Sequence, residues 1–120
     1  MAKILIIDDD KLVLDTLKGI VGITNHSCIV LNDPEKVIST IIEEKVDLLI
    51  TDIIMPYVSG FDLLEHINEL GINIKIIVMS GGGAVETDSY LNTAKYLGAH
   101  RTIRKPISVS KMLVLIKELL

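Results

Sequence analysis

Five short strand-like runs, most of them apolar, alternate with five longer segments of helical period along the 120 residues of this chain. Strand-like runs that alternate with helices are typical of β-α-β units, in which right-handed crossovers connect parallel strands. The order βαβαβαβαβα therefore predicts one α/β domain over residues 1–120, a doubly wound parallel sheet with helices on both faces. The predicted strands are Lys3–Ile7, Cys28–Leu31, Asp47–Thr51, Ile74–Met79 and Arg101–Arg104, and the last, polar at both ends, suits a sheet edge.

Each segment between the strands combines an apolar stripe with residues that favour helix ends. Asp33 followed by Pro34 is typical of a helix start, and Ser108 is a second candidate N-cap. Gly71 and Gly98 suit the position just after a helix, because glycine adopts the left-handed backbone conformation without a steric cost. The predicted helices are Lys11–Val21 (ending near Gly22), a helix with Val37, Ile38, Ile41 and Ile42 on one face, Ser59–Leu70, Val85–Leu97, and Ser108 to Leu120.

The composition limits the classes of function. Hydrophobic residues make up 49% of the chain, enough for a buried core, and the formal net charge is −4 without a basic stripe. We therefore expect a protein partner or a small ligand, and no binding of nucleic acid by this domain. No apolar run reaches the length of a membrane span, and Met1-Ala2-Lys3 leads into a strand and not into a signal peptide. No association with a membrane is expected.

The cysteine and histidine residues do not suggest a metal or redox centre. Cys28 is the single cysteine, so no internal disulfide is possible and a reducing cytoplasm is the expected compartment. Cys28 is interpreted as a small buried hydrophobic residue. His26, His66 and His100 lie among polar neighbours and are interpreted as surface residues.

Four of the predicted strands are followed by polar residues that could form a functional site. Asp8-Asp9-Asp10 comes after the first strand, Asp52 after the third, Ser80 after the fourth and Lys105-Pro106 after the fifth. Doubly wound sheets bind their ligands beyond the carboxyl ends of the strands, so these side chains are expected to converge on one site.

Each of these residues also has a purely structural explanation. Asp10 is well placed as an N-cap, and Asp52 and Ser80 could be ordinary turn residues. Lys105 could be a surface lysine. What these separate explanations leave out is that all of the residues fall at the same end of the sheet.

The chemistry of such a cluster is restricted. Adjacent carboxylates repel one another unless a cation lies between them, and a few carboxylates with water favour Mg²⁺ over zinc. A phosphoryl group fits between a metal ion and a lysine, because phosphoryl transfer depends on positioning and charge neutralisation. An aspartate beside the metal can then act as the nucleophile and form an acyl phosphate.

The sequence resembles the receiver domains of bacterial two-component response regulators. The resemblance runs through Ile4–Asp9, Asp47–Gly60, Ile76–Ser80 and Gly98–Pro106, and its spacing covers the whole chain. The most specific pieces are Asp8-Asp9, Asp52-Ile53-Ile54-Met55-Pro56 with Gly60, and Lys105-Pro106. The fold implied is a flavodoxin-like (βα)5 sheet with strand order 2-1-3-4-5.

The resemblance also implies roles for individual residues. Asp52 would be the phosphoacceptor, with Ser80 and Lys105 as phosphoryl contacts. The expected Mg²⁺ ligands are Asp8 (largely through water), Asp9, Asp52 and the backbone carbonyl of Ile54. Mn²⁺ can take the place of Mg²⁺. A cis peptide bond between Lys105 and Pro106 is implied as well.

The implied partners are a sensor histidine kinase or histidine phosphotransfer protein as phosphoryl donor, and a downstream protein target. The domain would be a monomer or weak dimer and not an enzyme, beyond self-phosphotransfer and slow self-dephosphorylation. The alternative from another class is an aspartate-nucleophile phosphatase of the haloacid-dehalogenase type. Asp8-Asp9-Asp10 imitates its motif, but Lys11-Leu12 follows where a threonine is required.

Two features depart from the usual receiver pattern. Thr102 stands at the switch position, where most receivers have an aromatic residue that moves together with the hydroxyl group of the Ser80 position. The aromatic form of the switch is therefore not expected here. Gly81-Gly82-Gly83 also makes the loop after the fourth strand unusually rich in glycine.

Overall fold

The structure, a computed structural model, describes residues 1–55, 58–81 and 84–120, without the side chains of residues 84–88. The elements alternate in the predicted order. The strands are β1 (Lys3–Ile7), β2 (Ser27–Leu31), β3 (Leu48–Asp52), β4 (Lys75–Ser80) and β5 (Arg101–Arg104), and the helices are α1 (Lys11–Ile23), α2 (Val37–Glu44), α3 (Gly60–Glu69), α4 (Ala84–Tyr96) and α5 (Val109–Leu119).

The five strands form one parallel sheet in the order β2-β1-β3-β4-β5. This confirms the predicted fold, including the place of β5 at an edge. The central strands are apolar because helices cover both of their faces. Ile4 to Ile7 of β1 are fully buried, and the burial of each such side chain contributes about 1.5–3 kcal/mol.

Two apolar cores lie on opposite faces of the sheet. One packs α1 and α5 against the sheet through residues such as Leu17 and Ile116. The other packs α2, α3 and α4 against the opposite face through residues such as Ile41, Leu64 and Ala94. Because the helices cover both faces of the sheet, a site can form at the loops that follow the carboxyl ends of the strands. In the described residues, no helix is long and apolar enough to cross a membrane.

Most helix ends follow the predicted signals. The Ser108 side chain accepts the N–H of Lys111 at 3.3 Å, and Gly71 and Gly98 adopt positive φ angles of 67° and 111°. Two expectations were inaccurate. α1 continues through Gly22 to Ile23, where the glycine lies in open space and keeps a helical backbone, and Asp33 caps a 3₁₀ turn that precedes α2.

Two of the three histidines accept hydrogen bonds from backbone N–H groups. His100 Nδ1 accepts the N–H of Ile76 at 3.0 Å, and His26 Nδ1 accepts the N–H of Ala2 at 2.9 Å. Each imidazole thus attaches the start of an edge strand to its neighbour. His66 and His100 are exposed, as expected, whereas His26 is half-buried.

Candidate functional site

The polar residues at the carboxyl ends of the strands meet at one edge of the sheet, where some are the last residue of a strand and others follow it. Asp8 follows β1, Asp52 ends β3 and Ser80 ends β4. All three are buried, with exposed fractions of 0%, 6% and 1%. Since polar groups this deep need partners, their hydrogen bonds define the site.

Lys105 connects two of these carboxylates. Its Nζ donates to Asp8 Oδ2 at 2.9 Å and to Asp52 Oδ2 at 3.0 Å, with only 20% of its side chain exposed. Its backbone N–H donates to the Ser80 carbonyl at 2.7 Å, and its peptide bond to Pro106 is cis. The lysine is therefore fixed at both ends, by the backbone of β4 and by the two carboxylates.

The site perturbs its titratable groups. Burial raises the pKa of the Asp8 carboxyl group, helped by the negative charge of Asp52 and opposed by hydrogen bonds from Lys105 and from the Asp10 N–H. Burial by itself would lower the pKa of Lys105, but the hydrogen bonds to Asp8 and Asp52 outweigh it and raise that pKa. The lysine consequently stays cationic. Because its hydrogen bond does not fully offset the unfavourable burial of the Asp8 carboxylate, a second cation beside Asp8 would be favourable.

The acidic residues could hold a small divalent cation. Asp8, Asp9 and Asp52 each present a carboxylate oxygen within 4.8 Å of the others. Two oxygens on opposite sides of one Mg²⁺ lie about 4.2 Å apart, because each bond is 2.0–2.1 Å, so only a small adjustment is needed. A set made only of oxygen atoms, with Asp9 exposed to water, fits the hydrated octahedral coordination of Mg²⁺.

Asp52 Oδ1 could bind a metal ion at this site. Its hydrogen bond from the Ile54 N–H is long, 3.4 Å. The side chain of Ile54 is 58% exposed. The role of the Ile54 carbonyl as a metal ligand stays a prediction.

Asp10 has the structural role that was considered for it. Its side chain accepts the N–H of Leu12 at 2.9 Å and caps α1. The Asp10 N–H in turn donates to Asp8 Oδ1 at 2.9 Å. Asp10 thus helps to hold Asp8 and does not belong to the acidic cluster itself.

The two expected switch residues lie on neighbouring strands. Among the described residues, the hydroxyl of Ser80 makes a single long contact, of 3.4 Å, with the Gly81 carbonyl, so it is weakly held. Thr102 is partly buried and pairs with Val78, two residues before Ser80. Pro56, Gly82 and Gly83 lie outside the described residues.

Thr51 makes a polar contact at the site that was not predicted from the sequence. Thr51 is fully buried, and its hydroxyl donates to the carbonyl of Asp52 at 2.9 Å. A hydroxyl residue in an otherwise apolar strand, next to the phosphoacceptor candidate, was the signal that could have identified it. Gly60 was part of the recognised motif, but no role was assigned to it.

Comparisons with known proteins identify the family to which the chain belongs. The family model described as "Response regulator receiver domain" matches residues 4–117. The transcriptional regulatory protein CpxR of Escherichia coli is 28% identical over 120 residues, which are all of this chain and 50% of that protein. A two-component response regulator of Arabidopsis thaliana, ARR21, is 32% identical over 106 residues, which are 87% of this chain and 16% of that protein.

A solved structure gives the same result. The crystal structure of a response regulator receiver domain protein from Clostridium thermocellum has a TM-score of 0.87 and 27% sequence identity, covering 99% of this chain and 94% of that one. A doubly wound sheet with aspartates and a lysine at its carboxyl edge is the arrangement expected of a receiver-type protein. The chain belongs to the response regulator receiver domain family, which favours this class over the phosphatase alternative. It spans half of the length of CpxR and 16% of ARR21.

Proposed function

We propose that this domain accepts a phosphoryl group on Asp52 in a Mg²⁺-dependent reaction and thereby switches its binding to a protein partner. The observation that carries this proposal is the position of Lys105, whose Nζ lies 3.0 Å from Asp52 and 2.9 Å from Asp8. A cation that touches the acceptor carboxylate can also neutralise the charge of an incoming phosphoryl group.

The donor in this proposal is a phosphohistidine of a sensor histidine kinase or a histidine phosphotransfer protein. A carboxylate oxygen of Asp52 attacks the phosphorus, and a new O–P bond forms as the P–N bond breaks. The electron pair of that bond stays on the imidazole nitrogen, which takes up a proton from water. Lys105 Nζ exchanges its carboxylate contacts for phosphoryl oxygens, and the weakly held Ser80 hydroxyl turns to donate to another.

Bound Mg²⁺ would neutralise developing charge on the phosphoryl oxygens. Asp9 and Asp52 would hold it directly and Asp8 largely through water, with the Ile54 carbonyl as a further ligand, and Mn²⁺ can substitute. This assignment is supported by the three carboxylates within 4.8 Å of one another.

The output follows from the added charge. A phosphoryl group brings a charge of about −1.5 to −2, which attracts the Ser80 hydroxyl and the Lys105 ammonium group. Ser80 ends β4, and Lys105 follows β5. Thr102 on β5 replaces the usual aromatic switch residue, so we assign the change to a shift of α4, which contacts both strands. A downstream protein would then bind one arrangement better than the other.

The remaining properties that we propose follow from membership of the receiver family. The domain acts in the cytoplasm as a monomer or weak dimer, without contact to nucleic acid or a membrane. Apart from self-phosphotransfer and slow self-dephosphorylation, it performs no catalysis on external substrates.

Incubation with a small acyl-phosphate donor tests this function. With Mg²⁺ present, we expect intact mass spectrometry to show the addition of one phosphoryl group to the wild-type chain. Asp52→Asn should show none, and excess chelator should suppress the addition to the wild type. Equal incorporation into Asp52→Asn would contradict the proposal.

A further inference from the structure

The N-terminus of α3 lies directly against the backbone of the proposed phosphoacceptor. Gly60 is the first residue of that helix, and its N–H donates to the Ile53 carbonyl at 2.6 Å. The Ser59 side chain caps the same helix end by accepting the N–H of Asp62 at 3.1 Å. The hydrogen bond between Gly60 and Ile53 therefore holds the start of α3 against the end of β3.

The approach is so close that only glycine fits. A Cβ atom on Gly60 would lie 2.6 Å from the Asp52 carbonyl oxygen and 2.7 Å from Ile53 Cα. Both neighbours are backbone atoms, so they cannot avoid the contact by a change of rotamer. The requirement is one of space, because Gly60, unlike Gly71, is not among the residues with a positive φ.

The peptide between Asp52 and Ile53 is also held by hydrogen bonds to other groups. The hydroxyl of Thr51 donates to the Asp52 carbonyl at 2.9 Å, and the Ile53 N–H donates to Met79 of β4 at 3.1 Å. The Asp52-Ile53 peptide is thus enclosed by a strand, a buried hydroxyl and a helix end. By comparison, the Asp52 carboxylate accepts from the described part of the chain one short hydrogen bond, from Lys105 at 3.0 Å, and one long one, from the Ile54 N–H at 3.4 Å.

We propose that Gly60 and Thr51 are positioning residues, which hold the Asp52-Ile53 peptide so that the Asp52 carboxylate faces Lys105 and the metal ligands. This inference rests on the proposed role of Asp52 as phosphoacceptor. Displacement of that peptide carries the carboxylate with it, and a misplacement of 1 Å by a remote mutation can reduce a rate by about 100-fold.

The test uses the full chain and two readouts, the phosphorylation rate at saturating acyl-phosphate donor and the Mg²⁺ affinity measured by calorimetry. We expect Gly60→Ala to reduce the rate by roughly 10- to 100-fold and to weaken Mg²⁺ binding, with the fold retained by circular dichroism. Two controls separate positioning from stability. Gly22→Ala adds the same methyl group where nothing lies within 4 Å, and Ile67→Val weakens the buried core face of α3; both should keep the wild-type rate.

Thr51 gives an independent arm that also applies if Gly60→Ala does not fold. Thr51→Val removes the hydroxyl at nearly constant shape and should lower the rate severalfold, whereas Thr51→Ser keeps the donor and should retain most of it. Wild-type rates and Mg²⁺ affinity in folded Gly60→Ala, or in Thr51→Val, would overturn the inference. Incorporation into Asp52→Asn equal to that of the wild type would instead overturn the proposed function, so the two failures are distinguishable.

Discussion

At the scale of single residues, Ile54 is unusual because a large apolar side chain is 58% exposed two positions after Asp52. Its N–H reaches Asp52 Oδ1 at 3.4 Å, which places the residue at the rim of the site. Loss of an acyl phosphate needs an oriented water molecule, and an isoleucine side chain cannot hydrogen-bond one. Slow self-dephosphorylation is expected for this reason.

Replacing Ile54 with a polar residue should shorten the lifetime of the phosphorylated state. We expect Ile54→Asn to lose its phosphoryl group up to roughly tenfold faster, because the amide can orient water. Decay after removal of the donor, followed by intact mass spectrometry, measures this. Ile42→Asn is the matched control, since Ile42 is 61% exposed on α2. Decay of Ile54→Asn at the parental rate would contradict the role of water orientation, and decay of the wild type within seconds would indicate that the glycine-rich loop admits water.

At the scale of elements, the attachment of β5 to β4 includes a titratable group. His100 Nδ1 accepts the Ile76 N–H at 3.0 Å. Burial, together with the positive charges of Lys75 on β4 and Arg101 on β5, lowers the pKa of His100. Across from Arg101, Glu118 of α5 forms an ion pair with it at 3.9 Å. Protonation at Nδ1 would place a hydrogen atom against the N–H of Ile76 and break the bond.

Stability should therefore depend on pH through His100. Because its pKa is lower in the folded state, the stabilising contribution is complete above the unfolded pKa of about 6.5 and is lost as the pH falls below it. We expect His100→Asn, whose side-chain oxygen can accept the same N–H, to reduce the loss of thermal stability between neutral and mildly acid pH. His66→Asn, on the exposed face of α3, should retain the wild-type dependence. An unchanged pH profile for His100→Asn would show that this bond does not limit stability.

The elements show which parts of the fold were predictable from sequence. β1 was predicted with its observed bounds, because its four apolar residues, Ile4 to Ile7, lie between the polar residues Lys3 and Asp8. Asp33 and Ser108 were recognised as caps, because capping depends on local chemistry alone. The end of α1 at Ile23 was missed, because an exposed glycine is compatible both with a helix interior and with a stop.

Contacts between distant segments could not be predicted in the same way. The bonds of His100 to Ile76 and of His26 to Ala2 join residues 24 positions apart. No local pattern specifies them. Likewise, the presence of Asp8, Asp52 and Lys105 at one edge follows from strand topology, but the ion pairs at 2.9 and 3.0 Å needed the structure.

At the scale of the whole molecule, the two cores fix the sheet, and the carboxylate cluster opposes folding through mutual repulsion. A cation that binds only the folded chain should stabilise it by about 1.4 kcal/mol at ten times its Kd. We expect Mg²⁺ to raise the Tm of the wild type and to have little effect on Asp9→Asn. Asp15→Asn, an exposed residue of α1 outside the cluster, serves as the control and should respond like the wild type. An equal rise in Tm for Asp9→Asn would show that Mg²⁺ acts elsewhere.

The most direct test of the whole account is to locate the phosphoryl group. The chain is phosphorylated with an acyl-phosphate donor and Mg²⁺, the acyl phosphate is reduced with borohydride, and the peptides are sequenced by mass spectrometry. We predict that homoserine appears at position 52 alone and that chelation of Mg²⁺ removes the signal. Homoserine at Asp8, Asp9 or any other acidic residue, with Asp52 unmodified, would contradict the account.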